Sequence, residues 1–249
     1  SIVSQFGPLP NGIDLSSTEG ASNLPYQVQN LHVTWAKPDL PISTWWWRSV
    51  GSSQNAYVTE CFLDELARAG GHDPLAYRQR LLGGHPRHLR VLATAAERAG
   101  WGTPLPPGRA RGLAVHEAFG SFVAQVAEVS LRDDRTVRVH RVVCAVDCGD
   151  VVNPDTIVAQ MESGIMFGLS AALYGEITIA NGGAVQSNFH DYPLVRMGEA
   201  PAIETHIVTS GDALGGIGEP GTPPIAPAVC NAVFALTGRP VRKLPIGPV

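Results

Sequence analysis

The stretch GGIGEPGTPP, residues 215–224, sets one carboxylate, Glu219, among glycines, prolines and small residues. The glycines let a bulky ligand approach the backbone, and Pro220, Pro223 and Pro224 stiffen the loop, so the carboxylate is preorganised. Glu219 could act as a general base. An adjoining helix start favours its charged form, whereas burial against a ligand raises its pKa toward a useful base. Capping the following helix is the alternative role. In QMESGIMFG, residues 160–168, Gln160, Gly164 and Gly168 fall at i, i+4 and i+8. One helix face then carries an amide and two bare backbone positions, against which something flat could lie. Close packing through small residues is the competing reading. In WWWRSVG, residues 45–51, Arg48 stands between tryptophans and a glycine turn. That combination suits gripping an anionic or oxo group beside an aromatic wall, or a packed corner with Arg stacked on Trp. His116, His140, His190 and His206 lack HxH or HxxxH spacing and read as core or surface residues.

These residues need elements to position them. Residues 1–41, rich in Gly, Pro, Asn and Ser, read as an extended arm with one strand candidate, Leu31 to Ala36. Apolar residues Val58, Phe62, Leu63 and Leu66 recur at helical spacing within 55–69, and DPLAYRQRLL and HLRVLATAAERAG continue as two further helices. Asp73 is placed to cap the second helix, with Pro74 at its first position. TPLPPG, residues 103–108, is the clearest linker. Beyond it the period becomes two in RGLAVHEAF, FVAQVAEVSL and VRVHRVVCAVD, the last two forming a hairpin across RDDRT. A helix opened by Asn153 and Pro154, a hairpin turning at Asn181 to Gly183, a strand IETHIVTS and a last helix ended by Gly238 complete the chain. The fold class is α+β. We divide the chain into 1–107, an arm plus helical segment, and 108–249, an α+β segment carrying the Glu219 loop.

The 249 residues carry 18 basic against 22 acidic side chains, a net charge of −4 without runs of like charge, and are 44% hydrophobic. A globular, soluble protein with a sizeable core is expected, and neither a nucleic-acid groove nor an anionic membrane surface is implied. A small, roughly neutral substrate fits better. Apolar stretches are broken well short of the roughly 18 residues a bilayer span needs, so no transmembrane segment is expected. Cys61, Cys144, Cys148 and Cys230 are scattered without a CxxC pair, which argues for buried or free thiols and against a metal bound directly by this chain. The start SIVSQFGPLP shows neither Met nor a secretory leader and reads as a processed or partial chain. Cytoplasm and periplasm both stay open.

Taken together, WWWRSVGSSQNAYVTECFLDELA, FVAQVAEVSL, CAVDCGDVVNPDTIVAQMESGIMFGLSAALYGEI, SNFHDYPLVRM and GIGEPGTPPIAPAVCNAVF resemble the molybdopterin-binding large subunit of the xanthine oxidase family, nearest the isoquinoline 1-oxidoreductase branch. The resemblance covers nearly the whole chain and suggests its C-terminal portion. It implies an oxidoreductase that hydroxylates an N-heteroaromatic or aldehyde carbon with oxygen from water, Glu219 being the base. Gln160 would then hydrogen-bond the pterin dithiolene, and Gly164 and Gly168 would admit the cofactor. Arg48, Ser49, Val50 and Gly51 would border its oxo side, with Gly218 beside the base. The implied cofactor is molybdopterin with Mo, in a form with a cytosine dinucleotide tail. The implied partners are a small subunit with [2Fe-2S] clusters, the upstream portion of the large subunit and a small-molecule substrate. Two departures stand out: Ser163 replaces a family glycine, and the family's other cofactor-binding loops are not in this sequence. A non-catalytic assembly module that keeps the fold without metal is the rival reading.

Overall fold

Three long strands, β1 (Arg109–Ala118), β2 (Ser121–Leu131) and β3 (Val137–Asp147), form an antiparallel meander, and β6 (Ala202–Ile207) lies parallel to β3 at its edge. The computed structural model describes residues 10–40, 42 and 44–249. The first nine residues of the predicted arm lie outside them. Among the described residues six α-helices accompany the sheet: α1 (Leu15–Thr18), α2 (Val50–Ala69), α3 (Pro74–Leu81), α4 (Pro86–Arg98), α5 (Pro154–Tyr174) and α6 (Ile225–Thr237). A small hairpin, β4 (Ile179–Ala180) and β5 (Gly183–Ala184), turns at Asn181 and Gly182, both at positive φ. This is an α+β architecture.

Both sheet faces are covered. Leu113, Val115, Ala124, Val126, Val143 and Ala145 pack with Val91, Leu92 and Ala95 of α4, and with Leu63 of α2. The alternate residues Ala114, Val123, Ala127, Val142, Cys144 and Val146 pack with α5 and α6 through Met161, Ile165, Val229 and Val233. The central strands are therefore buried almost continuously, where a one-sided sheet would alternate with polar residues. Helix α4 shares its core with the sheet, so the helical segment and the strands are one packed body.

Local signals explain the helix ends. The Asp73 carboxylate accepts from Leu75 N at 3.0 Å and Ala76 N at 2.9 Å, and Asn153 caps α5 through Thr156 N at 3.1 Å. Gly238 closes α6 in the left-handed region at φ 70°. Helix α2 forms as its spacing predicts, but Val58, Phe62 and Leu66 point outward, and the inner face carries Ala56, Glu60, Leu63, Asp64 and Ala67. Arg78 of α3, fully buried, explains the polar residues inside. It donates to Glu60 at 2.9 Å and Asp64 at 3.2 Å, and Tyr26 donates to Glu60. Helix α5 opens at Asn153–Pro154 and continues through its glycines as expected, but it departs from the expectation that no apolar stretch reaches span length. It runs 21 residues and is by length and composition apolar enough to cross a bilayer. Its buried face, Met161, Gly164, Ile165, Gly168 and Leu169, packs in the protein core.

Candidate active site

The Glu219 loop is strapped to the end of the sheet. Asp147, the last residue of β3, accepts from Arg87 at 2.9 and 2.7 Å, from Gly149 N at 2.9 Å and from the Ser210 hydroxyl at 2.7 Å. Burial opposes its ionisation, but the Arg87 guanidinium and the other two donors outweigh that and hold the carboxyl below its usual range. Further along, Gly215 N donates to Cys148 O at 2.9 Å, Gly216 N to Phe119 O at 2.8 Å, and the Ser121 hydroxyl to Gly216 O at 2.6 Å. A Cβ on Gly215 would stand 2.4 Å from the Ser121 Oγ, so only glycine permits this approach. From the buried middle of β2, Gln125 Nε2 donates to Gly221 O at 2.8 Å.

Thus held, Glu219 meets the start of α2, although 170 residues separate it from Ser49. The Ser49 N–H donates to Glu219 Oε2 at 2.7 Å, and the Ser49 hydroxyl donates to the Glu219 carbonyl at 2.7 Å. The helix end that faces this carboxylate is therefore that of α2. Helix α6 starts at Ile225 behind Pro224 and has no side-chain cap, so the capping alternative for Glu219 does not describe this geometry. One carboxylate oxygen is held by an amide at a helix N-terminus, a setting that favours negative charge. The other has no protein hydrogen bond among the described residues. Ser49 and Val50 reach this position at φ 72° and 49°, a left-handed pair that is uncommon for serine and a genuine outlier for β-branched valine.

Arg48 ties three segments together. Its Nη2 donates to Gln160 Oε1 at 3.0 Å, Nη1 to the Ser163 hydroxyl at 3.0 Å, and Nε to Gly218 O at 3.0 Å. With Oε1 engaged, the Gln160 amide presents its N–H donors to whatever lies beyond. The guanidinium stands 5.6 Å from the Phe167 ring centroid, and Trp47 packs on the same ring at 4.8 Å. Trp45, Trp46, Trp47 and Phe167 are all exposed, so the aromatic wall beside Arg48 is open on its outer side.

The structure separates the glycines. A Cβ on Gly218 would meet nothing within 4 Å, so this backbone faces open space. On Gly164 it would stand 3.1–3.2 Å from the Gly221–Thr222 backbone, and on Gly168 it would stand 2.6 Å from Ile225 Cγ2 and 2.9 Å from Thr222 O. Those two bare positions are filled by the protein's own loop, which is the packing reading of the glycine spacing. The bare side of Gly51 is likewise filled by Ser16 O of α1, at 2.2 Å from a built Cβ.

One participant escaped the sequence reading. Glu19 accepts from Gly51 N at 2.9 Å at the same helix end, and its carboxyl is raised above its usual range by burial, with the Glu219 charge contributing. No spacing signal links residue 19 to residue 51, because the pairing depends on α1 folding against α2. Among the described residues no group of three or more His, Cys, Asp or Glu side chains could hold a metal, and the four cysteines are buried and unpaired. The arrangement offers a carboxylate with one free oxygen, an open glycine backbone, and a cation and amide on a shelf beside an aromatic wall.

Comparison with known proteins gives the following similarities. Residues 94–201 match the molybdopterin cofactor-binding domain family. The chain is 37% identical over 227 residues to the beta subunit of isoquinoline 1-oxidoreductase from Brevundimonas diminuta, covering 90% of this chain and 29% of that protein. It is 32% identical over 246 residues to a membrane-bound aldehyde dehydrogenase of Gluconacetobacter polyoxogenes, covering 90% and 32%. With one of the subunits of nicotinate dehydrogenase from Pseudomonas putida it shares 31% identity over 242 residues, covering 89% and 20%. The aldehyde oxidoreductase of Desulfovibrio desulfuricans has the same fold, with a TM-score of 0.63 at 12% identity, over 80% of this chain and 40% of that one. The sequence matches thus define the class as molybdopterin-binding proteins. The chain is a molybdopterin-binding region of the xanthine oxidase family. It spans about a third or less of the length of these sequence relatives.

Proposed function

We propose that this chain forms part of a molybdenum-dependent hydroxylase that oxidises an N-heteroaromatic or aldehyde carbon with oxygen from water, Glu219 acting as its base. The observation that carries the reading is the convergence of Arg48, Ser49, Gln160, Gly218 and Glu219 from three distant segments. The residues fit molybdopterin: the bare side of Gly218 is open, and beside it lie the Arg48 cation and the Gln160 amide donors, which suit an anionic, acceptor-rich group. When bound, that cofactor would supply the two-electron oxidation.

The chain's own residues have separate tasks. Gln160 and the 218 backbone would hold the cofactor, with Arg48 locking both in place. Gly164 and Gly168 serve it indirectly, by letting the 221–225 loop seat on α5. The Ser49 N–H orients Glu219 through Oε2, so that Oε1 is the atom that takes and returns the proton. The exposed face of Trp47 and Phe167 would bound the substrate side and exclude water there. A cytosine dinucleotide form of the cofactor, an iron–sulfur partner subunit with [2Fe-2S] clusters and an upstream large-subunit portion complete the proposal, drawn from the isoquinoline-type resemblance and the lengths of the relatives.

Replacing Glu219 by Gln in the assembled enzyme keeps the Ser49 contact and removes the base. Turnover should be abolished with molybdenum content unchanged; near-normal turnover would refute the assignment. The rival, a non-catalytic assembly module, draws support from the guanidinium of Arg48, whose hydrogen bonds all go to protein groups. It requires assemblies that never carry molybdenum.

A further inference from the structure

The strand candidate Leu31 to Ala36 forms no strand in the structure and, among the described residues, pairs with no other segment. Among the described residues, no backbone N–H or C=O between 29 and 40 hydrogen-bonds within the protein. The segment is nevertheless anchored at both ends. Tyr26 is buried and Gln27 N donates to Leu81 O at 2.9 Å on one side, and the Arg48 clamp fixes the other. Leu31, Val33 and Trp35 alternate with His32 and Thr34, as the residues of a half-buried strand do. Leu31 is 51% and Val33 39% exposed, and Leu40 further along is exposed as well.

A segment with a strand's apolar alternation and an unpaired backbone is a template for another strand, and folded proteins cover such edges. The relatives show how much polypeptide is available to cover it, since this chain accounts for only 29% and 32% of two of them. We propose that residues 31–36 form a β-ladder with a strand from the remaining portion of the large subunit, whose apolar side covers Leu31, Val33 and Trp35. Main-chain hydrogen bonds would supply the affinity and the alternating side chains the register. This rests on the large-subunit reading above. It gives the arm a purpose: the ladder would hold the segment that leads directly into Arg48 and Ser49.

The test uses, as the partner, the part of the Brevundimonas diminuta protein that this chain does not match, co-expressed with the full chain. Amide hydrogen exchange is read by mass spectrometry, with His32→Pro and Val33→Pro as variants. Adjacent residues aim their N–H groups to opposite sides, so at least one variant removes a ladder donor. The expected result is a complex in which alternate amides of 31–36 exchange at least about tenfold more slowly than in the chain alone. At least one proline variant should lose the complex, and both should keep the wild-type melting curve, since the segment touches no core residue. Equal exchange in the complex and the free chain would overturn the proposal. So would two proline variants that bind like wild type, failure of any complex to form, or protection in the chain alone at dimer mass. A complex that holds molybdenum but leaves 31–36 unprotected would overturn the ladder and leave the functional reading standing; a protected ladder whose complex never holds molybdenum would do the reverse.

Discussion

His88 on α4 and His116 on β1 are 5% and 8% exposed, and His88 Nδ1, His88 Nε2 and His116 Nε2 have no hydrogen-bond partner among the described residues. Burial lowers the His88 pKa to about 3, with the charges of His85, His116 and Arg87 adding to it, and burial alone lowers His116 to about 4. In the unfolded chain both titrate near 6.5. Above that pH both states are neutral and the histidines leave stability unaffected. As the pH falls below it, the unfolded state binds protons that the folded state refuses, so stability drops until the folded groups titrate near 4 and 3. At pH 5 the unfolded imidazole is almost fully protonated, which costs about 2 kcal/mol per histidine relative to pH 7.5, or about 4 kcal/mol for the two. The perturbation is His88→Leu with His116→Leu, singly and together, and the assay is urea unfolding at pH 7.5 and 5.0. At pH 7.5 the variants should lie within about 1–2 kcal/mol of wild type, because each loses an unpaired buried polar group. Between the two pH values the double variant should lose about 4 kcal/mol less than wild type, the carboxylates contributing equally to both. An identical pH dependence in wild type and double variant would refute the reasoning.

Three further outcomes are expected. Arg78→Met leaves Glu60 and Asp64 buried without their cation and should destabilise by about 3–5 kcal/mol in urea unfolding. Gly168→Ala drives a Cβ to 2.6 Å from Ile225 Cγ2, and an overpacking cost of about 1–3 kcal/mol should appear in the same assay. Arg48→Ala in the assembled enzyme should lower molybdenum content, because Gln160, Ser163 and Gly218 lose their shared donor; unchanged content and turnover would remove Arg48 from the site.

Much of this fold was legible because its signals are local. Asp73–Pro74 and Asn153–Pro154 open helices where capping chemistry says they should, Asn181 and Gly182 turn a hairpin, and Gly238 ends α6. What escaped depends on tertiary contact. Of the apolar residues that marked α2 as a helix, Val58, Phe62 and Leu66 lie on its outer face and only Leu63 is buried, since the inner face is shared with the Arg78 ion network. The Leu31 to Ala36 pattern alternates as a strand's does but forms no strand, because a strand needs a partner and the described residues supply none. At the site, Arg48 and Glu219 stood out by type and loop context, and Gln160 by its helix-face spacing with Gly164 and Gly168. Their convergence, the opposite surroundings of Gly164 and Gly218, and the part of Glu19 follow from packing between segments more than 30 residues apart, which spacing does not encode.

The most direct test of the central claim is elemental analysis for molybdenum and iron on the natively purified assembly, with intact masses of every chain that co-purifies. Molybdenum stoichiometric with this chain, together with iron and an iron–sulfur subunit, is the expected result. This chain stably folded and purified to homogeneity from its native source with neither metal would contradict it, and would leave the Glu219 loop to a non-catalytic assembly module.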